Sequence, residues 1–321
     1  MSVSTLIQAS YQREHANYDA YAPGGPKAHL ADAWFDPGDD PDGAPITVDH
    51  WRHRRAFAHL DPLLKSLPHA TWLTIGDGRC ASDAQYLKRH GATAIATDIC
   101  GTLLAEAKRR RAIDDYRVEN AEKLSLPDES VDLALCMEAY HHFPRPMLAL
   151  YEMLRVARIA VVLHEPRDRF IHSPFPEAAW NWLKYLPSRI TGRYQPDVPF
   201  RFEPTGNFIY TLSRREVQKA AMALDLPCLA FAEMNDCYIE GVEFEPAIEG
   251  NDVFDRIRRR IRQLDRLCRL RLRQPQMLTA VIFKQTPPRR VLDELKQAGY
   301  EIDRLPVNPY RNDAPTDPVR T

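Results

Sequence analysis

The stretch Thr74-Ile75-Gly76-Asp77-Gly78-Arg79-Cys80-Ala81 follows the apolar pair Trp72-Leu73 and opens a helical pattern over 81–89. Glycines directly after a strand let the backbone turn sharply and approach a ligand closely. The helix that follows offers unpaired N–H groups and the positive end of its dipole to an anionic group. Twenty residues beyond Gly78 stands Asp98, at the end of the next strand-like run, Thr93–Thr97. A carboxylate there is placed to accept hydrogen bonds from both hydroxyls of an adenosine ribose. Strand, glycine turn, helix and acid together predict a nucleotide-type site; the plainer reading is a tight turn with a surface Asp. Gly76-x-Gly78-x-x-Ala81 by itself also fits a dinucleotide fingerprint.

The pattern continues on both sides. Trp72–Ile75, Thr93–Thr97, Tyr116–Glu119, Val131–Cys136 and Ile159–Leu163 read as strands. Helical patterns at Ala81–Arg89, Thr102–Arg110 and Pro146–Val156 separate them. Strands alternating with helices imply crossover connections and a parallel sheet covered on both faces. Two later runs, Cys228–Met234 and Met277–Phe283, bring the expected total to seven strands. The prediction is an α/β fold with a doubly wound, mostly parallel seven-stranded sheet. Such sheets bind ligands beyond the carboxyl ends of their strands, near the point where strand order reverses.

Four zones follow. Residues 1–70 read as a helical and loop extension, with an acidic Pro/Gly loop at Asp36–Gly43 and a helix over Val48–Leu60. The loop lacks EF-hand spacing and reads as a solvated turn. His50 and His53 read as surface histidines, and no metal site is predicted. Residues 71–165 form the core. Residues 166–212 are irregular and rich in Pro and aromatic residues, and read as an inserted substrate cap. Residues 213–321 complete the core: Ser213 to Glu216 is a capping box that starts a helix to about Leu224, and a last helix spans Arg290–Ala298. They also carry an extra helix over about Asp252–Arg273 with an apolar stripe at Phe254, Ile257, Ile261, Leu264 and Cys268. Nine arginines between Arg256 and Arg273 cover its remaining surface. That basic face is solvated, meets a second copy in a homodimer, or contacts an anionic acceptor or membrane surface.

Composition excludes several classes. Lys plus Arg total 43 against 44 acids, for a net charge of −1, which argues against a dedicated nucleic-acid binder. No apolar run approaches a membrane span, and Met1–His15 has no secretory pattern. The six cysteines show no CxxC spacing and read as reduced thiols of a cytoplasmic protein.

Further motifs narrow the class. Asn120-Ala121-Glu122-Lys123-Leu124-Ser125-Leu126-Pro127, Ser130-Val131-Asp132-Leu133 and Glu138-Ala139-Tyr140-His141-His142-Phe143 occur in order after the glycine turn. Met153-Leu154-Arg155-Val156 leads into Val161-Val162-Leu163, and Leu278–Lys284 lies near the end. With their spacing, these resemble class I S-adenosylmethionine-dependent methyltransferases, in the broad small-molecule branch. The likeness is close over about 70–165 and looser beyond.

The resemblance implies S-adenosylmethionine as cofactor and S-adenosylhomocysteine as product. It implies that Gly76 and Gly78 hold the cofactor's amino acid end, that Asp98 holds its ribose and that Ile99 lies against adenine. Asn120 and Ala121 edge the adenine with Glu122 adjacent, and Met137 and Glu138 lie under the sulfonium. Tyr18 and Arg54 are candidates for the methionine carboxylate, with Arg52 and Arg55 as alternatives to Arg54. Two departures stand out. Thr74 replaces a frequent acid, so Asp77 or Asp83 would have to meet the ammonium. Cys80 replaces a third glycine, which is expected to narrow the pocket.

A hydroxyl acceptor needs a general base, and His141, His142, His164 and Glu165 sit just past two strand ends. In the cap, Arg167, Trp180 and Tyr210 are the candidate substrate contacts, beside Arg169, Arg193 and Arg201. The expected acceptor is a small molecule or glycan. Two rival readings stay open: an NAD(P)-dependent oxidoreductase on the same kind of sheet, and a non-catalytic binding protein that keeps the fold.

Overall fold

The computed structural model describes residues 2–35, 45–192, 201–202 and 208–310. The acidic loop Asp36–Gly43, together with Arg193, Tyr194 and Phe200, lies outside the described residues. Elements run in the order α1 (Val3–Asp19), α2 (Ala28–Asp32), α3 (Val48–Phe57), α4 (Asp61–Ser66), β1 (Thr71–Ile75), α5 (Ser82–Arg89), β2 (Thr93–Asp98), α6 (Thr102–Arg109), β3 (Asp115–Val118) and β4 (Val131–Met137). They continue with α7 (Pro146–Val156), β5 (Ala157–Pro166), α8 (Phe175–Thr191), α9 (Arg214–Ala223), β6 (Cys228–Met234), α10 (Asp252–Arg269), β7 (Met277–Phe283), α11 (Arg289–Gln297) and β8 (Glu301–Arg304).

The sheet order is β3-β2-β1-β4-β5-β7-β6-β8. Strands β1 to β5 pair in parallel, while β7 runs antiparallel between β5 and β6. The sheet is doubly wound and mostly parallel, but it has eight strands rather than seven. The added strand, β8, pairs antiparallel with β6. Its four residues are mostly polar and follow the Gly299 helix stop, so they carry no strand periodicity of their own; the exposed edge of β6 recruits them.

The strands form because their side chains alternate between two packed faces. Trp72, Leu133, Leu135, Val162, Val281 and Phe283 point to one side, under α4, α5 and α11. Leu73, Ile75, Ala134, Val161, Leu163, Phe231 and Ile282 point to the other, under α7 and α9. Both faces are apolar, which is why these strands read as continuous hydrophobic runs.

Other boundaries shift for local reasons. The helix expected over Val48–Leu60 breaks after Phe57, and a new turn starts with Pro62 near its N-terminus. The Arg-rich helix ends at Arg269 rather than Arg273, because Arg271 takes a left-handed φ of 55° that stops it. The segment 166–212 contains the helix α8, hidden from sequence by Pro174, Pro176 and Pro187. His50 is buried and His53 half-buried, so neither is a surface histidine.

α11 and β8 belong to the same body as the core, since Val291, Leu292 and Leu295 pack against Leu63 and Leu64 of α4. Leu295→Ala should therefore cost about 2–5 kcal/mol in a single urea transition. A separate early transition in this variant would show that the C-terminal hairpin of helix and strand folds as its own unit.

Candidate active site

β1 and β4 flank the point where strand order reverses, and the loops past their carboxyl ends build the site. Gly76 takes a φ of +75°, and a Cβ there would lie 2.5 Å from the Cβ of Ala139. Gly78 has a different reason: its Cβ would fall 2.8 Å from Asp98 Oδ2 and 2.7 Å from Tyr18 Cζ. The first glycine lets the turn pass under the loop after β4. The second leaves open the space that Asp98 and Tyr18 face.

Asp77 lines a cavity together with Gly76, Arg79 and Asp83, and its carboxylate is also held within the chain. Its carboxylate accepts from Thr74 Oγ1 at 2.8 Å and from the N–H groups of Asp83 and Ala84 at 3.1 and 3.0 Å, capping the start of α5. Thr74 thus holds the acid that follows it. Burial pushes the Asp77 carboxyl up to about 7. Asp83 is also buried, and burial together with Asp77, Glu138 and Glu165 raises its carboxyl well above the usual range. Cys80 does not narrow the pocket as expected. Its φ is +54°, which explains the attraction of glycine at this position, but the side chain packs backwards against Ala31 and Leu103.

Three adjoining compartments follow. The first is walled by Gly76, Asp98, Ile99, Asn120, Ala121, Glu122 and Phe143, and roofed by Ser10, Tyr11, Glu14 and Tyr18 of α1. Asp98 ends β2, accepts from Cys100 N at 2.7 Å, and has its carboxyl pushed up to about 7 by burial. Glu122 accepts from Tyr11 Oη at 2.7 Å and from the Arg145 backbone and Nε at 2.6 and 2.7 Å, so it ties α1 to the start of α7. The second compartment shares Tyr18, Gly76 and His142 with the first and adds Asp83, Arg79, Met137 and Glu138. The third shares His53 and Glu138 with the second and adds Arg52, His164, Asp236 and Met277.

The four candidate bases separate. Glu165 is fully buried; one oxygen accepts from Ala139 N and Tyr140 N at 3.0 and 2.9 Å, and the other accepts from His141 Nδ1 at 2.6 Å. Neither Glu165 nor His141 lines a compartment. His142, tilted against His141 with ring centres 4.2 Å apart, lines the first two. His164 lines the third, bonds Thr279 Oγ1 at 2.8 Å, and is pushed down to about 4 by burial, so it is neutral near pH 7.

Other expected residues lie elsewhere. Arg54 lies near Tyr86, whose hydroxyl burial and Asp61 hold above its usual range, and it lines none of the three compartments. Arg167 pairs with Glu233, and Tyr210 donates to Glu216 at 2.6 Å. Trp180 is exposed on α8. None of the three reaches the compartments. In place of Arg54, α3 presents Arg52 and His53. Arg52 pairs with Asp49 and Asp236, and Arg79 pairs with Asp49 and lies 3.0 Å from His53 Nε2. The sequence offers Arg52 only as an alternative to Arg54 and reads His53 as a surface histidine; the contacts with Asp236 and Glu138 are long-range.

Residues 73–162 match the family model described as a methyltransferase domain. That match falls on the parallel part of the sheet, with the glycine turn at its switch point, and covers the segment on which the methyltransferase resemblance rests. An uncharacterized methyltransferase-like protein of Schizosaccharomyces pombe is 27% identical over 129 residues, 40% of this chain and 46% of that protein. The match thus spans about half the length of that curated relative. Similar solved structures include an S-adenosylmethionine-dependent methyltransferase from Archaeoglobus fulgidus, at 17% identity and TM-score 0.45, covering 72% of this chain and 94% of that one. Another is the magnesium protoporphyrin IX methyltransferase of Synechocystis PCC 6803 with bound S-adenosylmethionine, at 10% identity and TM-score 0.40, covering 72% of this chain and 79% of that one.

The chain fits such a cofactor on its own geometry. Gly78 leaves a cradle that any side chain would fill, beside a buried carboxylate at a strand end. Buried acids at the next compartment suit a cation.

Glu165 gives a direct test of how this site is held. Glu165→Ala leaves two backbone N–H groups and His141 without their acceptor and should cost on the order of 3–5 kcal/mol in urea unfolding. Glu165→Gln keeps an acceptor oxygen and should lose markedly less. Equal small losses in both variants would show that the carboxylate does not organise the loop.

Proposed function

We propose that the protein transfers the methyl group of S-adenosylmethionine to a hydroxyl of a small polar or glycan-type acceptor. The observation that carries this reading is the row of three compartments that share walls, from Asp98 through Glu138 to Asp236. Asp98, Ile99, Asn120 and Ala121 would hold the adenosine end, with Glu122 setting the wall. Tyr18, Asp83 and Arg79 would meet the amino acid end, and Met137, Glu138 and His142 would flank the reacting centre. When bound, the cofactor supplies a methyl group on a sulfonium. The protein's own part is to align the acceptor, exclude water and take a proton.

The base in this reading is His53, which was not among the four sequence candidates. Its Nδ1 lies 2.8 Å from the Asp49 carbonyl and its Nε2 lies 3.7 Å from Glu138 Oε2, where the second and third compartments meet. Burial and the Arg79 charge hold its pKa below the ordinary 6.5, so it is neutral at pH 7; with Nδ1 donating to the Asp49 carbonyl, Nε2 accepts from Arg79 Nη1 at 3.0 Å, a bond that Arg79 must release before Nε2 takes a proton. Arg52, Asp236 and His164 give the third compartment a polar lining, which supports a hydroxylated acceptor. The segment 166–212, with Arg167, Trp180 and Tyr210, would act as a cap at a distance rather than as the pocket wall. All six cysteines are unpaired, which supports a reducing, cytoplasmic setting.

Calorimetry with S-adenosylhomocysteine, S-adenosylmethionine and the nicotinamide dinucleotides tests the reading at its base. The first two should bind and the dinucleotides should not; the reverse would make the protein an oxidoreductase. Binding without methyl incorporation into any screened acceptor would favour a non-catalytic role.

Asp98 adds a pH signature. A carboxyl at about 7 is part-protonated at neutral pH, and ribose hydroxyls that donate to it favour the ionised form. S-adenosylhomocysteine should therefore bind more tightly as pH rises from about 6 to 8, releasing a fraction of a proton. Asp98→Asn should abolish the proton release and weaken binding on the order of 30- to 1,000-fold. A wild-type affinity flat in pH would contradict this.

His53→Gln should lower kcat by about a hundredfold to ten-thousandfold while S-adenosylhomocysteine affinity stays within a few-fold. Because its pKa is depressed, the wild-type rate should fall only below the ordinary histidine range, and the variant should lose that acid limb. Turnover within a few-fold of wild type would return the role to His142.

A further inference from the structure

α8 is an amphipathic helix mounted the wrong way round for a soluble protein. Its polar side faces the body: Glu177 is buried and accepts from Gln274 N at 2.6 Å, and Asn181 Nδ2 donates to the Arg169 carbonyl at 3.2 Å. Its apolar side faces out. Phe175, Trp182, Leu183, Leu186 and Ile190 fall within one third of the helical circle at 100° per residue and are between 54 and 84% exposed. None of them joins a hydrophobic cluster of the fold.

The end of α10 meets the start of α8. Arg273 Nε lies 3.8 Å from Glu177, and Gln274 Nε2 donates to the Ile171 carbonyl at 3.1 Å. Just before this joint, Leu270 and Leu272 are exposed, among Arg262, Arg266, Arg269 and Arg271. These four arginines are exposed and form no ion pair with any described residue, whereas Arg258 and Arg273 lie near Glu249 and Glu177. An outward apolar helix face with a tryptophan therefore adjoins a row of unneutralised cations.

We propose that α8 and the C-terminal half of α10 form a docking surface for an anionic lipid bilayer. Each half matches one layer of such a surface. Trp and aliphatic side chains partition at the headgroup boundary, and arginines sit at the level of anionic headgroups. α8 has 17 residues, and no helix among the described residues is long and apolar enough to cross a membrane. The helix thus lies along the interface and does not span it. A soluble protein partner or a second copy would bury the apolar face but would need its own acids to meet the arginines. The acid at the joint, Glu177, already faces Arg169 and Arg273 of this chain. The surface is separate from the three compartments, so the inference stands whether or not methyl transfer is the reaction.

The test is co-sedimentation of the full chain with vesicles of phosphatidylcholine alone and of phosphatidylcholine with about a third phosphatidylglycerol. Wild type should bind the anionic vesicles far more tightly, and the binding should fall steeply with salt. Tryptophan emission should shift to the blue on binding. Arg266→Gln with Arg269→Gln and Arg271→Gln should weaken partitioning by about a hundredfold, since each arginine near an anionic leaflet contributes about fivefold. Trp182→Ser with Leu186→Ser and Ile190→Ser should abolish it. Both variants should keep S-adenosylhomocysteine affinity and thermal stability, which excludes misfolding as the cause. Three outcomes overturn the proposal: no binding of wild type to anionic vesicles at low salt, binding that neither variant changes, or a wild-type dimer in solution that the apolar-face variant alone converts to monomer.

Discussion

Glu165 has no solvent exposure, and its carboxylate gathers three donors from the loop after β4: Ala139 N, Tyr140 N and His141 Nδ1. That loop must leave the strand at a fixed angle. Glu138 takes a left-handed φ of 51°, and its N–H donates to the His164 carbonyl at 2.8 Å. Ala139 is then pressed against the turn after β1, where only a residue without Cβ fits, and that residue is Gly76. The glycine turn, the left-handed Glu138 and the compartments beside them all depend on one buried acid accepting its hydrogen bonds. A carboxylate spent in this way organises the reacting region without entering it.

The amino-terminal helices complete what the sheet begins. α1 lays Ser10, Tyr11, Glu14 and Tyr18 over the first compartment, and Tyr11 reaches Glu122 to fasten it. α3 lays Arg52 and His53 over the third. Charge around α3 is balanced locally: Asp49 receives both Arg52 and Arg79, and Asp236 receives Arg52. These paired charges are mostly buried or half-buried, so their value lies in fixing geometry more than in stability. The same economy leaves Asp77, Asp83 and Asp98 short of cations, and burial raises all three.

Two helices sort their polar and apolar sides in opposite ways. The apolar stripe of α10 packs on Val48 and Val242 as its periodicity requires. α8 reverses the arrangement and shows its apolar face to solvent. Exposure of that extent opposes the hydrophobic effect unless another surface covers it.

The sequence by itself determined the sheet and its switch point. Trp72–Ile75, the Gly76–Gly78 turn, Asp98 and the strands through Phe283 follow from local periodicity and turn chemistry, which neighbouring residues set. The position of Asp98 was legible for the same reason, since it ends β2, whereas the family resemblance implied that Ile99, Asn120 and Ala121 share its cavity. Tertiary structure alone decided the rest. Arg54 gave way to Arg52 and His53 because the phase of α3 against the sheet is fixed by packing, not by composition. Glu165 and His141 withdrew from the cavity because the donors that bury them come from a different strand end. Cys80 turned its side chain away because α2, some fifty residues earlier, supplies the pocket that receives it. β8 exists because β6 has an open edge. Each of these is a contact between segments far apart in the chain, and no local pattern in either segment encodes it.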